Sequence, residues 1–484
     1  MNKKTISDII TNEDIKSWKI NEVITITGGT GSGKSHFIKT KLYDYAKEQK
    51  EKILFLIHRS NCKNQFENEL KDKNDIIDVI TYQHIEEMYK HNLEFDFSEY
   101  KYIVCDEMQY FCCDSAFNYY TDISFQKIIK YNNAVKIFMS ATGNHVKNLM
   151  KTFYKIKTID YKIKFDYSYI KGIKYFNKND TIISLLEECI NKNQKAIVFI
   201  DSAKECYKYY TIFKDYSIFN CSKSNKNYYQ YVDKEKINNM LINNKFGENI
   251  LFTTCCLDAG VNIIDTDIKG IILDVKNTNT LIQCVGRRRI NKKVKNDGFY
   301  LYIKNRNKYE LSNMMKSLKK SAEKAICLQL SGIDIFLNRY KRNTSSSMIY
   351  DEINDEGNVI KKVNILMLSD NTDRQVEIES MQQSSYIKII NREFGKKKSI
   401  ILEEEINMNY LEKYLKSLIG IKLNKDKQKE LINMIGLKDS LGRQQKSLST
   451  LNPYLIENFD MQITSKQIRQ ENNKMRVWIL SKNK

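Results

Sequence analysis

The run GGTGSGKS, residues 28–35, fits the pattern G-x-x-x-x-G-K-[ST] at every fixed position. Glycines there leave backbone N–H groups free to wrap phosphate oxygens, and a helix starting at the end of the run adds its positive dipole. In that frame Gly28, Gly29, Thr30, Gly31, Ser32 and Gly33 form the cradle. Lys34 reaches the β- and γ-phosphates, and the Ser35 hydroxyl coordinates Mg²⁺. A second constellation narrows the reaction. YIVCDEMQ, residues 102–109, puts two adjacent carboxylates at the tip of an apolar run. Asp106 would hold the Mg²⁺, and Glu107 would orient and deprotonate an attacking water. The bland alternatives are a chance glycine-rich turn and a solvated acidic turn. The apolar runs that precede both motifs argue against them.

These residues need elements to position them. Apolar runs at 22–28, 52–58, 78–83, 102–107 and 135–142 read as strands, with a helix from about 35 to 50 after the phosphate loop. A second series follows, with strands at 195–201, 248–254, 268–274 and 298–304 and helices at 180–192, 203–214 and 233–244. Strand–helix alternation of this kind predicts parallel sheets with helices on both faces. The chain of 484 residues is too long for one core. The expected division is 1–165, 166–340 and 341–484. The polar stretch 341–360 reads as a linker, followed by helices at 403–420, 425–436 and 449–459. A hairpin around ENN, residues 471–473, ends the chain.

Composition limits the partners. The net charge is +20, which favours a polyanion. No stretch of about 18 apolar residues occurs, so no membrane span is expected, and the N-terminus lacks the apolar core of a signal peptide. The eleven cysteines include no CxxC pair, and only five histidines accompany them. They read as reduced thiols in a cytoplasmic protein and not as zinc ligands.

Six short signatures appear in order, and together they resemble superfamily 2 helicases of the DEAD/DEAH type over about residues 15–305. They are HRSNCKNQF (58–66), TYQ (81–83), DEMQ (106–109), SAT (140–142), TTCCLDAGVNI (253–263) and QCVGRRR (283–289). The resemblance implies two tandem RecA-like P-loop domains, with ATP and Mg²⁺ bound in the cleft between them. Gly260 and Asn262 are then the glycine and polar positions of one ATP-facing motif. Gln283 lies near the attacking water or the phosphate, Arg287 is the arginine finger, and Arg289 or Arg288 takes the place of the arginine that commonly ends this motif, where Ile290 stands here. Gln109 stands where the family often has His, in a position that couples hydrolysis to nucleic-acid contact. Arg59, Thr81, Tyr82, Gln83, Thr253 and Thr254 match positions that touch a nucleic-acid backbone. The stretch 106–124 also resembles helicases of Gram-positive bacteria and their phages or mobile elements.

The last 44 residues, 441–484, carry eight Lys/Arg against three Asp/Glu. Helices ahead of a basic hairpin suggest a winged-helix-like module that presents Arg469, Lys474 and Arg476 to a duplex, or else a plain helical lid. Three functions stay open: a helicase or translocase, more readily on DNA than on RNA; an ATP-switched nucleic-acid-binding module; and a P-loop kinase or GTPase. The arginines of the second domain speak against the last. Replication, restriction and phage defence are all compatible with the first.

Overall fold

The computed structural model describes residues 4–70, 73–113, 118–257, 261–291, 294, 296–354, 356–396, 398–439, 443–470 and 473–483. Six strands build the first sheet: β1 (Val23–Thr27), β2 (Lys52–Ile57), β3 (Ile77–Thr81), β4 (Tyr100–Cys105), β5 (Val135–Ser140) and β6 (Thr158–Lys162). Their order is β3–β2–β4–β5–β1–β6, with all neighbours parallel. Parallel strands lie under helices on both faces, which is why β1 and β5 are buried throughout and read as unbroken apolar runs. This order sets the geometry of the site. The phosphate run follows β1 and the two carboxylates follow β4, with β5 inserted between them. The two motifs are therefore about 10 Å apart across the sheet. SAT, at the end of β5, fills the gap.

The second sheet takes the order β7 (Ile170–Phe176), β12 (Phe299–Lys304), β11 (Ile268–Asp274), β8 (Lys195–Ile200), β10 (Ile250–Thr253), β9 (Ser217–Asn220), again all parallel. The architecture is thus two tandem RecA-like lobes. Three strands escape the apolar-run criterion. β6 is a half-exposed edge with Asp160 and Lys162 in it, β7 is interrupted by Lys and Gly, and β9 has only four residues. The run expected as a strand over 78–83 ends at Thr81, and Tyr82 and Gln83 open the helix Tyr82–Lys90.

The stretch expected as a linker over 341–360 is partly a hairpin, β13 (Ile349–Ile353) with β14 (Val359–Val363). Cross-strand ion pairs, Lys361 with Asp351 at 2.5 Å and Lys362 with Glu352 at 2.9 Å, make the sequence read as polar. The hairpin begins a strap across both lobes. On the first lobe Tyr350 donates to Asp122 at 3.0 Å, Tyr89 donates to Glu352 at 2.9 Å, and Asn364 donates to the Thr121 hydroxyl at 3.0 Å. The helix Ile365–Gln383 then packs on both Asn144–Thr152 of the first lobe and the long helix Lys308–Arg339. On the second lobe Tyr175 donates to Asn391 at 3.0 Å, and the Lys396 ammonium donates to the Ile170 carbonyl at 2.8 Å.

All of this belongs to one compact unit, Met1–Ser399; a second is Ile400–Lys484. The second holds helices Leu402–Leu418, Lys425–Ile435 and Leu448–Phe459, close to the expected bounds. A short strand β15 (Lys422–Leu423) pairs with β17 (Asn473–Lys482), which pairs antiparallel with β16 (Met461–Gln470). Leu415, Leu431, Leu451, Leu455 and Leu480 form its core. Among the described residues no helix is long and apolar enough to cross a membrane. Cys105, Cys189, Cys206, Cys221 and Cys327 are free thiols.

Candidate active site

The loop after β1 ends at Gly33, whose φ of +87° is left-handed and would strain any side chain. From Lys34 the chain turns helical, passes through a π-helical stretch, Ile38–Leu42, and continues as Tyr43–Glu48. The N-terminal segment braces the loop, with the Ile6 N–H donating to the Ser32 carbonyl at 2.9 Å. The Lys34 ammonium donates to the Gly28 carbonyl at 2.7 Å and lies 3.5 Å from that of Gly29. Burial pushes its pKa down, against the pull of the Glu107 and Asp106 charges. It is a cation held on loop carbonyls that phosphate oxygens can replace.

Past β4 the Asp106 N–H still pairs with the sheet, donating to the Leu56 carbonyl at 3.0 Å. Glu107 then takes a left-handed φ of +50°. Such backbone costs on the order of 1–3 kcal/mol in a non-glycine residue, so its surroundings must hold it. Tyr82 does so: its hydroxyl donates to the Asp106 carbonyl at 2.7 Å, and its ring stacks on Tyr110 with centroids 4.6 Å apart. Burial and the Glu107 charge push the Asp106 carboxyl well above its ordinary range, against Lys34. Burial pushes Glu107 up too, but Lys34, Arg287 and a bond from Gln109 outweigh it and leave Glu107 below its ordinary range. The pair thus holds one charge readily, on Glu107, and resists a second. His58, beside Arg59 and Glu107, is buried, and its pKa is pushed down to about 4, so it is neutral.

A chain of hydrogen bonds leaves Glu107 and crosses to the second lobe. Gln109 donates to Glu107 at 2.9 Å and accepts from the Ser140 hydroxyl. Ser140 Oγ accepts the Thr142 N–H at 2.8 Å, and Gln283 donates to the Thr142 hydroxyl at 3.0 Å. Gln283 lies on the helix Thr278–Val285, and the arginines follow it. Gly286 lets them approach. A Cβ on it would lie 2.6 Å from the Thr30 hydroxyl of the phosphate loop.

The three arginines diverge. Arg287 is buried, with Nε donating to the Gln283 carbonyl at 3.2 Å, and its charge acts on Glu107 and Lys34. Arg289 donates through Nε to Asn262 at 2.6 Å. Burial and the Arg287 charge push it down to about 10, against the pull of Glu107. Arg288 forms a buried ion pair with Asp297, donating from Nη1 at 2.7 Å, and its guanidinium lies over the Phe299 ring. Of the two candidates for the arginine that ends the motif, Arg288 is the one whose side chain is committed to its own lobe. Asn262 stands behind Arg289. Gly260 lies outside the described residues.

The expected nucleic-acid contacts separate in the same way. Arg59, Thr81 and Gln83 are half-buried, and Gln83 donates to the His58 carbonyl at 2.9 Å. Tyr82 and Thr253 are 0% exposed and Thr254 is 9% exposed, which corrects the expectation that these side chains touch a strand. Tyr82 instead supports the Asp106–Glu107 turn, and the Thr253 hydroxyl donates to the Thr254 carbonyl at 2.9 Å. Arg469, Lys474 and Arg476 are exposed on the hairpin of the second unit, Arg469 directly opposite Lys474. Sequence reasoning missed the joining roles of Ser140 and Thr142. SAT marked the place, but the partner of Thr142 is 141 residues away.

Mg²⁺ fits the donors present. Ser35 and Asp106 offer hard oxygens, and Asp106 sits where a second anionic charge is disfavoured without a cation. Among the described residues no cluster of three or more His, Cys, Asp or Glu could hold a metal alone, so water and phosphate oxygens would complete the shell, as Mg²⁺ prefers.

No protein-family model matches the sequence, and a search of curated proteins found no match. Solved structures do resemble it. One is S. cerevisiae Dbp5 bound to RNA and ADP BeF3, at 13% identity over 62% of this chain and 82% of that one, with a TM-score of 0.43. The DEAD-box helicase Mss116 bound to ssRNA and UDP-BeF aligns at 14% identity over 69% and 82%, with a TM-score of 0.43. Mycobacterium smegmatis helicase Lhr bound to ssDNA and AMP-PNP aligns at 11% over 62% and 46%, with a TM-score of 0.41. At such values the roles of individual residues rest on the geometry above.

Proposed function

We propose that the chain is an ATP-hydrolysing motor of the superfamily 2 helicase type that moves on nucleic acid. The observation that carries this reading is the convergence of two lobes on one phosphate loop. Lys34, Asp106 and Glu107 come from the first lobe, and Gln283, Arg287 and Arg289 from the second. A kinase or GTPase site needs no such partner lobe.

In this reading the loop amides and Lys34 bind the triphosphate, and Ser35 and Asp106 hold Mg²⁺. Held there, Mg²⁺ would supply positive charge that offsets the charge of the phosphates. Glu107, kept ionised by Lys34 and Arg287, orients a water and accepts its proton as the water oxygen bonds to the γ-phosphorus. The bond from that phosphorus to the β–γ bridging oxygen breaks, and the electron pair leaves with ADP. Arg287 stabilises the charge on the transferring phosphoryl group, a contribution of about 10³–10⁵ in turnover. Gln109 sits at the position expected to couple hydrolysis to nucleic acid, through Ser140, Thr142 and Gln283.

Single-stranded or forked DNA is the favoured substrate, with RNA as the alternative. The net charge of +20 and the exposed Arg469, Lys474 and Arg476 support a phosphate-backbone grip. ATP hydrolysis measured with and without single-stranded DNA or RNA tests the motor, and 3′- and 5′-tailed duplexes of each polymer test unwinding. Stimulation by neither polymer sinks the reading.

A further inference from the structure

The carboxyl edge of the second sheet carries an aromatic cluster that the phosphate site does not use. Tyr207 stands on the helix Ala203–Ile212 after β8, and Tyr228 and Tyr231 follow β9 through the short helix Lys226–Tyr229. Tyr207 and Tyr231 stack with centroids 4.4 Å apart at 26°, and Tyr228 lies 5.6 Å from Tyr207. Phe219 of β9 anchors the group at 5.5 Å from Tyr207. An aromatic group built for the core would be enclosed, but Tyr231 is 46% exposed and Tyr207 and Tyr228 are half-buried. Tyr207 stacks on one face of Tyr231, which stays 46% exposed.

The surrounding charge is cationic. Lys204, Lys223 and Lys226 are exposed beside the tyrosines. Of the carboxylates on these segments, Asp233 accepts from the Lys236 N–H at 3.0 Å as a helix cap, and Asp201 accepts from the Lys276 N–H at 2.9 Å. The cluster also adjoins β10, because the Thr254 N–H donates to the Asn220 carbonyl at 3.2 Å.

We propose that Tyr207, Tyr228 and Tyr231, with Lys204, Lys223 and Lys226, form a stacking platform for the bases of single-stranded nucleic acid on the second lobe. The proposal rests on the nucleic-acid reading above and adds a grip on bases to one on phosphates. Every base has a π face, so the platform accepts DNA and RNA without sequence preference.

The test is binding of the full chain to a single strand with intact bases and to the same backbone with abasic sugars, at fixed salt. Wild type is expected to prefer the intact strand by roughly 5- to 150-fold for each stacked base. Tyr231→Ala should erase the preference while leaving abasic affinity and polymer-free ATP hydrolysis unchanged, and Tyr231→Phe should retain it. Tyr231 is exposed, so its variants should melt like wild type. A wild type that does not discriminate, or a Tyr231→Ala chain that discriminates fully, overturns the platform and leaves the motor standing. Failure to bind either strand overturns the nucleic-acid reading itself.

Discussion

The two lobes deliver charge to the same loop by different means. On the first, backbone does the placing. Lys34 opens a helix at a left-handed glycine, and Asp106 and Glu107 end a buried strand in a turn fixed by sheet hydrogen bonds and by the Tyr82 hydroxyl. On the second, side chains do it. Arg287 hangs on the Gln283 carbonyl and Arg289 on the Asn262 amide, and both reach the loop only because Gly286 lies against Thr30. A group placed by backbone is present whenever its lobe is folded. A group placed across an interface is present only when the lobes meet. Substrate binding should thus belong to the first lobe and hydrolysis to the pair.

The sharpest way to break that comparison is to remove one cation from each side. Lys34→Ala should lose nucleotide binding and hydrolysis together. Arg287→Ala should keep affinity within a few-fold and lose about 10³–10⁵ in turnover. Titration with a fluorescent nucleotide beside single-turnover hydrolysis separates the two signatures, and identical signatures would end the distinction. Failure of hydrolysis in Arg289→Ala alone would move the finger by two residues.

Next in size is Gly286→Ala, which brings a methyl group against Thr30. Misplacement of about 1 Å costs on the order of 10²-fold in rate. Thr30→Ala in the same chain should recover part of it; no recovery would mean that the contact between the lobes is not what the methyl disturbs. Arg288→Ala, by contrast, should act on stability. Leaving the Asp297 carboxylate without its counter-charge, held only by the Asn291 N–H, costs about 3–5 kcal/mol, read as a lower melting temperature with activity per folded molecule kept.

The smallest effect concerns the strap. Burial pushes the Asp122 carboxyl up to about 7, although the Tyr350 hydroxyl pulls the other way. Unfolded, it ionises near 3.8, so as pH rises from 4 to 7 the unfolded chain sheds a proton that the folded chain keeps. Stability falls across that window, by at most about 1.4 kcal/mol per pH unit, and levels off above it. Asp122→Asn keeps an acceptor for Tyr350 and removes the proton. Its melting-temperature advantage over wild type should therefore grow from pH 4 to 7 and then stay flat; an advantage that shrinks would reverse the assignment.

The sequence disclosed the parts that are contiguous in it. The phosphate loop, the two carboxylates and the longer buried strands each carry a local pattern, glycine spacing or an unbroken apolar run. Edge strands did not, because β6 and β9 need not be apolar throughout or long. The arginines were visible as a basic run, yet nothing local distinguishes Arg288 from its neighbours. Its partner Asp297 had to be seen beside it. Tyr82 was open to contact or packing, and it packs because the motif that contains it begins at a half-exposed Thr81 and turns at once into a buried helix face. Most of all, 341–360 concealed its hairpin, since cross-strand ion pairs look like loop chemistry until the strands are paired.

The strap also fixes an order of events during folding. Its bonds close long loops: Tyr350 to Asp122 spans 228 residues, and Tyr175 to Asn391 spans 216. Both docking surfaces are made by lobes that must already exist, and closing long loops is slow. Segment 349–396 should therefore settle last, after the two sheets are complete. A ribosome-bound chain that has not yet emitted this segment would hold two finished lobes joined only by their own direct contacts, such as Gln283 to Thr142.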